Sequence, residues 1–263
     1  MTGVGTVPLE LLASLGIFVG GVSFGFAGFA FALFATSGLS LIAPPNAAIP
    51  AVMLISDTLA VPLLWLHRRY VTVQHLRTMP PFAPGALLWL VAGVAFGAFL
   101  LGHVPAALGR LAIACAVLIF VGIQLINRQA ESRPRSAIAW WNRPTSVSFA
   151  GGALDGWLGS GGIVVVMFVA ARRIAPQVFV GTILAYFLTS DVIRAASYLM
   201  LGYWTLTAFS LYLHIAPIAI AGYFSGLLLR RILHSDKAFR VAILALLTVY
   251  AMALIVRTLA SSA

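Results

Sequence analysis

Asp57, Asp155 and Asp191 are three of only six acidic residues in a chain of 263, and each lies inside a long apolar run. An ionised acid at membrane depth costs about 2.5–3.5 kcal/mol on insertion scales, so such residues point to function. A carboxyl removed from water holds its proton more tightly, and all three are therefore candidates for proton coupling. Arg194 is the single arginine well within an apolar run. Its planar, bidentate guanidinium suits an oxyanion. It also stands three residues after Asp191, where the two would share one helix face and neutralise each other. Asp57 has no charged neighbour within a helical turn, which leaves it the alternative of capping a broken helix.

The second chemical signal is glycine. Gly20-Gly21-x-x-x-Gly25-x-x-Gly28 is answered by Gly151-Gly152-x-x-x-Gly156-x-x-Gly159, and the second copy runs on through Ser160, Gly161 and Gly162. Irregular backbone at membrane depth survives only where it is buried in protein or lines a cavity. The N-termini of half-helices facing such a break offer free N–H groups and positive dipole ends to an anion. Gly25, Gly28, Gly156, Gly159, Ser160, Gly161, Gly162 and Arg194 are thus the candidate substrate-binding residues. The competing use of Gly21-x-x-x-Gly25 and Gly152-x-x-x-Gly156 is close packing of helices.

The elements that must position these residues follow from composition. Hydrophobic residues make up 62% of the chain and charged residues 8%, and mean hydropathy is +1.05. No charged residue or histidine occurs from Leu11 to Ser56, more than twice the roughly 20 residues a membrane-crossing helix needs. Apolar runs are read at 7–42, 46–66, 79–101, 105–126, 145–171, 177–201, 204–229 and 238–259. They are too long for barrel strands and show no alternation. The net charge of +10 collects in short loops, as in helical membrane proteins, so no nucleic-acid partner is implied. One cysteine, no nucleophile–base pair, no phosphate-binding loop and no cluster of metal ligands leave no basis for an enzyme or a cofactor. Tyr186, Tyr198, Tyr203, Trp157 and Trp204 are candidates to line a pathway, Trp140-Trp141 to form an interfacial belt. His214 reads as a hydrogen bonder between helices.

The chain also repeats itself. The glycine clusters, Pro45/Pro176, Ser56-Asp57/Ser190-Asp191, Tyr70/Tyr203, Ala83-Pro84/Ala216-Pro217, Gly93-x-x-x-Gly97/Gly222-x-x-x-Gly226 and Arg110/Arg240 recur in one order. Their offsets stay between 129 and 134 residues. Repeats at 1–126 and 145–263 flank a basic, cytoplasmic linker at 127–144. Arg68, Arg69 and Arg77 have no basic counterpart at 201–206, whereas Arg172 and Arg173 answer a neutral 37–46 loop. That swap predicts inverted repeats. The expected architecture is an all-α polytopic membrane protein, in two repeats of about four helical segments. Each repeat opens with a glycine-broken, kinked or re-entrant helix, because 36 residues in one helix would reach over about 50 Å. Arg257 falls on the outer face and opposes this orientation.

The doubled glycine motif followed by proline, then Ser-Asp in the next segment, resembles the sulfite exporter TauE/SafE family of membrane permeases. So does Pro217 with Gly222-x-x-x-Gly226, Arg230-Arg231 and Phe239-Arg240. The likeness covers about residues 8–257. The second copy is nearer the family pattern through Gly159-Ser160-Gly161-Gly162 and Val180-Gly181-Thr182. The first departs from it, with Phe29-Ala30-Phe31 where further glycines are usual and Pro50 near the expected Gly-Thr. The resemblance implies a secondary transporter of the inner (plasma) membrane for export or uptake of small sulfur-containing anions such as sulfite, sulfoacetate or other organosulfonates, with export the direction the membrane potential favours. The implied partners are a small anionic substrate and the bilayer; the glycine faces would also serve a homodimer. The other readings are an anion channel and a non-transporting docking or assembly subunit.

Overall fold

The computed structural model describes residues 9–28, 30–70, 76–129, 143–170 and 175–232, with 248, 251–252, 255–256 and 258–259 beyond them. All regular structure among these is helical: α1 Leu9–Ala27, α2 Phe31–Leu39, α3 Pro45–His67, α4 Ala86–His103, α5 Ala106–Gln129, α6 Pro144–Leu158, α7 Gly162–Ala170, α8 Pro176–Met200 and α9 Leu206–Ile232. Five stretches, within α1, α3 (running on to Tyr70), α4, α8 and α9, are long and apolar enough to cross a membrane. Leu88, Met200 and Leu206 are at least 75% exposed, as lipid-facing side chains are. The core of the linker, Trp140-Trp141, Arg172, Arg173, Phe239, Arg240 and Arg257 lie outside the described residues, as does most of the 238–259 run.

Local chemistry sets the boundaries. The 7–42 run is broken as expected: α1 ends at Gly28, whose φ is +79° and whose N–H bonds the Phe24 carbonyl at 2.8 Å. Likewise α6 ends at Gly159, with φ +65° and its N–H on the Asp155 carbonyl at 2.9 Å. These are left-handed helix ends of the kind glycine permits. Pro45 and Pro176 occupy the first turns of α3 and α8, where the missing N–H is no loss. The run expected from 79 starts late. Pro80, Pro81 and Pro84 cannot donate helical bonds, so 77–85 form turns and α4 begins after Gly85.

The helices pair by exchange. α1 lies along α9 and α6 along α4, while α3 and α8 touch each other and lean on α9 and α4 respectively. Glycine makes both close pairs. A methyl at Gly21 or Gly25 would strike the Ala219 or Tyr223 carbonyl oxygen of α9, and one at Gly222 or Gly226 the Phe18 or Val22 carbonyl of α1. On the other side, Gly93 and Gly97 abut the Phe149 and Ala153 carbonyls, and Gly152 and Gly156 those of Leu90 and Val94. Gly25 and Gly156 are therefore explained by helix packing. These glycine faces are taken up within the chain and are not available to a second copy.

Candidate substrate site

The two breaks meet. Ala30, Phe31, Ala32 and Leu33, at the start of α2, line a cavity of about 40 Å³ together with Gly159, Ser160 and Gly162 of the second break. One water needs roughly 10–15 Å³ on this measure, so the space holds a small ion or a few waters. Its apolar wall includes Phe24, Val166 and Phe187; its polar wall is Ser56, Asp155, Asp191 and Arg194.

Three helices supply the charges. On α8, Ser190, Arg194 and Tyr198 stand four apart and Asp191 three before Arg194, so each of the other three neighbours Arg194 on the helix surface. Arg194 reaches across to α6 and donates through Nη1 to the Asp155 backbone oxygen at 3.1 Å and to Asp155 Oδ1 at 3.2 Å. Through Nη2 it donates to Asp191 Oδ1, so the expected Asp191–Arg194 pair is present. Ser190 Oγ donates to Asp155 Oδ2. Asp155, Asp191 and Arg194 are each no more than 4% exposed. Asp57, from α3, joins the same field, with Asp191, Arg194 and Asp155 as its electrostatic neighbours. It sits mid-helix rather than at a cap. α3 continues unbroken past both Pro50 and Pro62, so there is no helix end for it to satisfy. The cluster sets three carboxyls against one guanidinium.

Several buried polar atoms in and around the cavity have no hydrogen-bond partner: Arg194 Nε, Ser160 Oγ, Thr36 Oγ1 and Asp57 Oδ1. Thr36 is on α2, and a Cβ on Gly159 would come 3.6 Å from its Oγ1 and 3.6 Å from Arg194 Nη1. A buried donor left unmade costs about 1–3 kcal/mol, and such groups mark where a ligand or water would be held.

One turn beyond Arg194 on α8, Tyr198 gathers a group of aromatic side chains. Tyr198, fully buried, donates to the Gly156 carbonyl at 2.7 Å. It packs edge-on against Tyr203 and Trp204, and Trp204 Nε1 donates back to the Ala195 carbonyl at 3.1 Å. Burial pushes the Tyr203 phenol above its ordinary pKa.

Of the expected binding residues, Gly159, Ser160, Gly162 and Arg194 line the cavity, as do Asp155 and Asp191. Gly161 is pressed against α6, where a methyl would hit Gly151 and Asp155. Gly28 turns the first break beside Val180, and Gly25 and Gly156 lie in the helix pairs. Sequence reading missed Thr36, the use of Ser190, and the bond between Asp155 and Arg194. His214 bonds the Ser210 carbonyl of its own helix at 2.7 Å rather than a neighbouring one.

The model of the TauE/SafE sulfite exporter family matches residues 12–254, nearly the whole chain. The protein belongs to that family, a class of membrane transporters for sulfite-type anions. No curated protein and no solved structure matches the chain.

Proposed function

We propose that this protein is a secondary transporter of the inner (plasma) membrane that exports sulfite or a comparably small sulfur-containing anion, held between the two helix breaks. The observation that supports this most is the cavity joining both breaks, with Arg194 Nε and Ser160 Oγ unpartnered at its wall. The free N–H groups of the first turn of α2 add the dipole attraction expected for an anion. Gly28, Gly159 and Gly161 shape the breaks; Asp57, Asp155 and Asp191 are the groups through which protons would couple. The small volume favours sulfite over sulfoacetate.

The exchanged pairs α1–α9 and α4–α6 suit two inverted repeats that rock around a central site. Carrying one negative charge out of an inside-negative cell gains about 2.3 kcal/mol per 100 mV, roughly a fifty-fold gradient. Export then needs no further energy source. Radiolabelled sulfite flux from proteoliposomes under a potassium-diffusion potential tests this. Saturable flux that is lost in both Arg194→Gln and Gly159→Leu is expected. Saturable flux untouched by either substitution would remove the site. Strict coupling to a counter-gradient separates a carrier from a channel.

A further inference from the structure

From the donors and acceptors around the cavity, we infer that the site takes a singly charged oxyanion that still carries one acidic hydrogen, and turns away dianions. For sulfite this is the hydrogen sulfite form, and sulfate is the excluded ion. The inference rests on the transport reading above and specifies the ionic form that is bound.

Charge is the first observation. Arg194 is the only cation at the cavity among the described residues, and its Nη1 and Nη2 are already given to Asp155 and Asp191. A site with Asp155 and Asp191 in its wall has no surplus positive charge for a dianion, whose oxygens would face carboxylate oxygens among largely buried side chains.

The mixture of partners is the second. Arg194 Nε and Ser160 Oγ are unpartnered donors on residues at least nine-tenths buried, and both residues line the cavity. The first N–H groups of α2, at Phe31, Ala32 and Leu33, lack helical partners. These would meet the ligand's oxygens. Asp155 is the complementary acceptor. Its two oxygens each take one bond from protein, from Arg194 and from Ser190, while a carboxylate accepts about four. A ligand O–H turns the carboxylate contact from repulsion into a hydrogen bond. An ion without that hydrogen leaves two acceptors opposed, and sites built to receive a ligand hydrogen reject analogues lacking it by large factors.

The groups facing this position that titrate or carry charge are Asp57 on α3, Asp155 on α6, and Asp191, Arg194, Tyr186 and Tyr198 on α8. A competition series at one pH avoids their titration. In proteoliposomes of the full chain, with radiolabelled sulfite as the transported probe, sulfate should compete at least about 100-fold more weakly than unlabelled sulfite. Nitrate, singly charged but with no hydrogen to donate, should compete at least about tenfold more weakly. In a separate series from about pH 6 to about pH 8, the apparent affinity for total sulfite should fall as the hydrogen sulfite fraction falls. In Asp155→Asn, whose amide can donate, sulfate should gain at least about tenfold as a competitor. Where that variant does not fold, the wild-type series decides.

Sulfate or nitrate competing within about threefold of sulfite, with flux still saturable, would overturn the inference and leave the transporter reading standing. Absence of saturable sulfite flux at every pH would overturn both.

Discussion

Replacing Arg194 by glutamine should be among the most damaging single changes available to the membrane interior of this protein. Arg194 holds two carboxylates, Asp155 and Asp191, and all three residues are at least 96% buried. Removing one partner of a buried ion pair costs about 3–5 kcal/mol, because a charge is left without compensation. Here two would be left. At roughly 2–4 °C per kcal/mol for a domain of this size, Tm should fall by about 6–20 °C. The sign is distinctive because the cluster is rich in acid. Arg194→Gln moves it from three carboxyls and one cation to three carboxyls and none. Asp191→Asn leaves two carboxyls and one cation, and the amide oxygen can still accept from Nη2. The aspartate change alone should therefore cost less than about 2 kcal/mol. Combined with Arg194→Gln, it should restore about half of the lost stability. Thermal unfolding in detergent, followed by circular dichroism with tryptophan fluorescence as a second probe, reads all four corners of this cycle. A Tm for Arg194→Gln within about 2 °C of wild type, or Asp191→Asn proving the costlier single change, would refute the reasoning.

Other outcomes follow from the backbone. Ala30 has φ +73°, a conformation that costs a non-glycine residue about 1 kcal/mol or more; Ala30→Gly should raise Tm by about 1–4 °C. Gly222→Val would drive a side chain into the Phe18 carbonyl and should cost at least about 2 kcal/mol by parting α1 from α9. Gly122→Ala, with open space around its added methyl, should instead stabilise α5 by about 0.5–1 kcal/mol. Tyr198→Phe should cost about 0.5–1.5 kcal/mol through loss of its bond to the Gly156 carbonyl, measured by the same unfolding transition.

What the sequence made legible depended on how local the cause was. The apolar runs, the breaks at Gly28 and Gly159, and the prolines opening α3 and α8 are written in neighbouring residues. The start of α4 is local as well, written in Pro80, Pro81 and Pro84 rather than in hydropathy. The cluster was half visible. Asp191 and Arg194 are close in the chain, but Asp155 reaches Arg194 across 39 positions, and no periodicity announces that contact. Asp57 looked isolated for the same reason. Gly25 and Gly156 carried a motif with two physical uses, and only the neighbouring carbonyls distinguish them. Ala30 defeats sequence reading outright, because propensity argues against the backbone it adopts.

The exchange of partners between halves has a consequence for synthesis. The ribosome completes α1 almost two hundred residues before α9 exists to cover Gly21 and Gly25. During that interval the glycine groove of α1 stands open in the bilayer, and small-residue grooves are what other helices bind. The α4–α6 pair forms far earlier. The nascent protein therefore has a finished half-seam and an unfinished one, and the cavity closes only when the last third of the chain arrives. Truncation before α9 would yield a protein whose first helix has lost its mate, a substrate for membrane quality control rather than a smaller transporter.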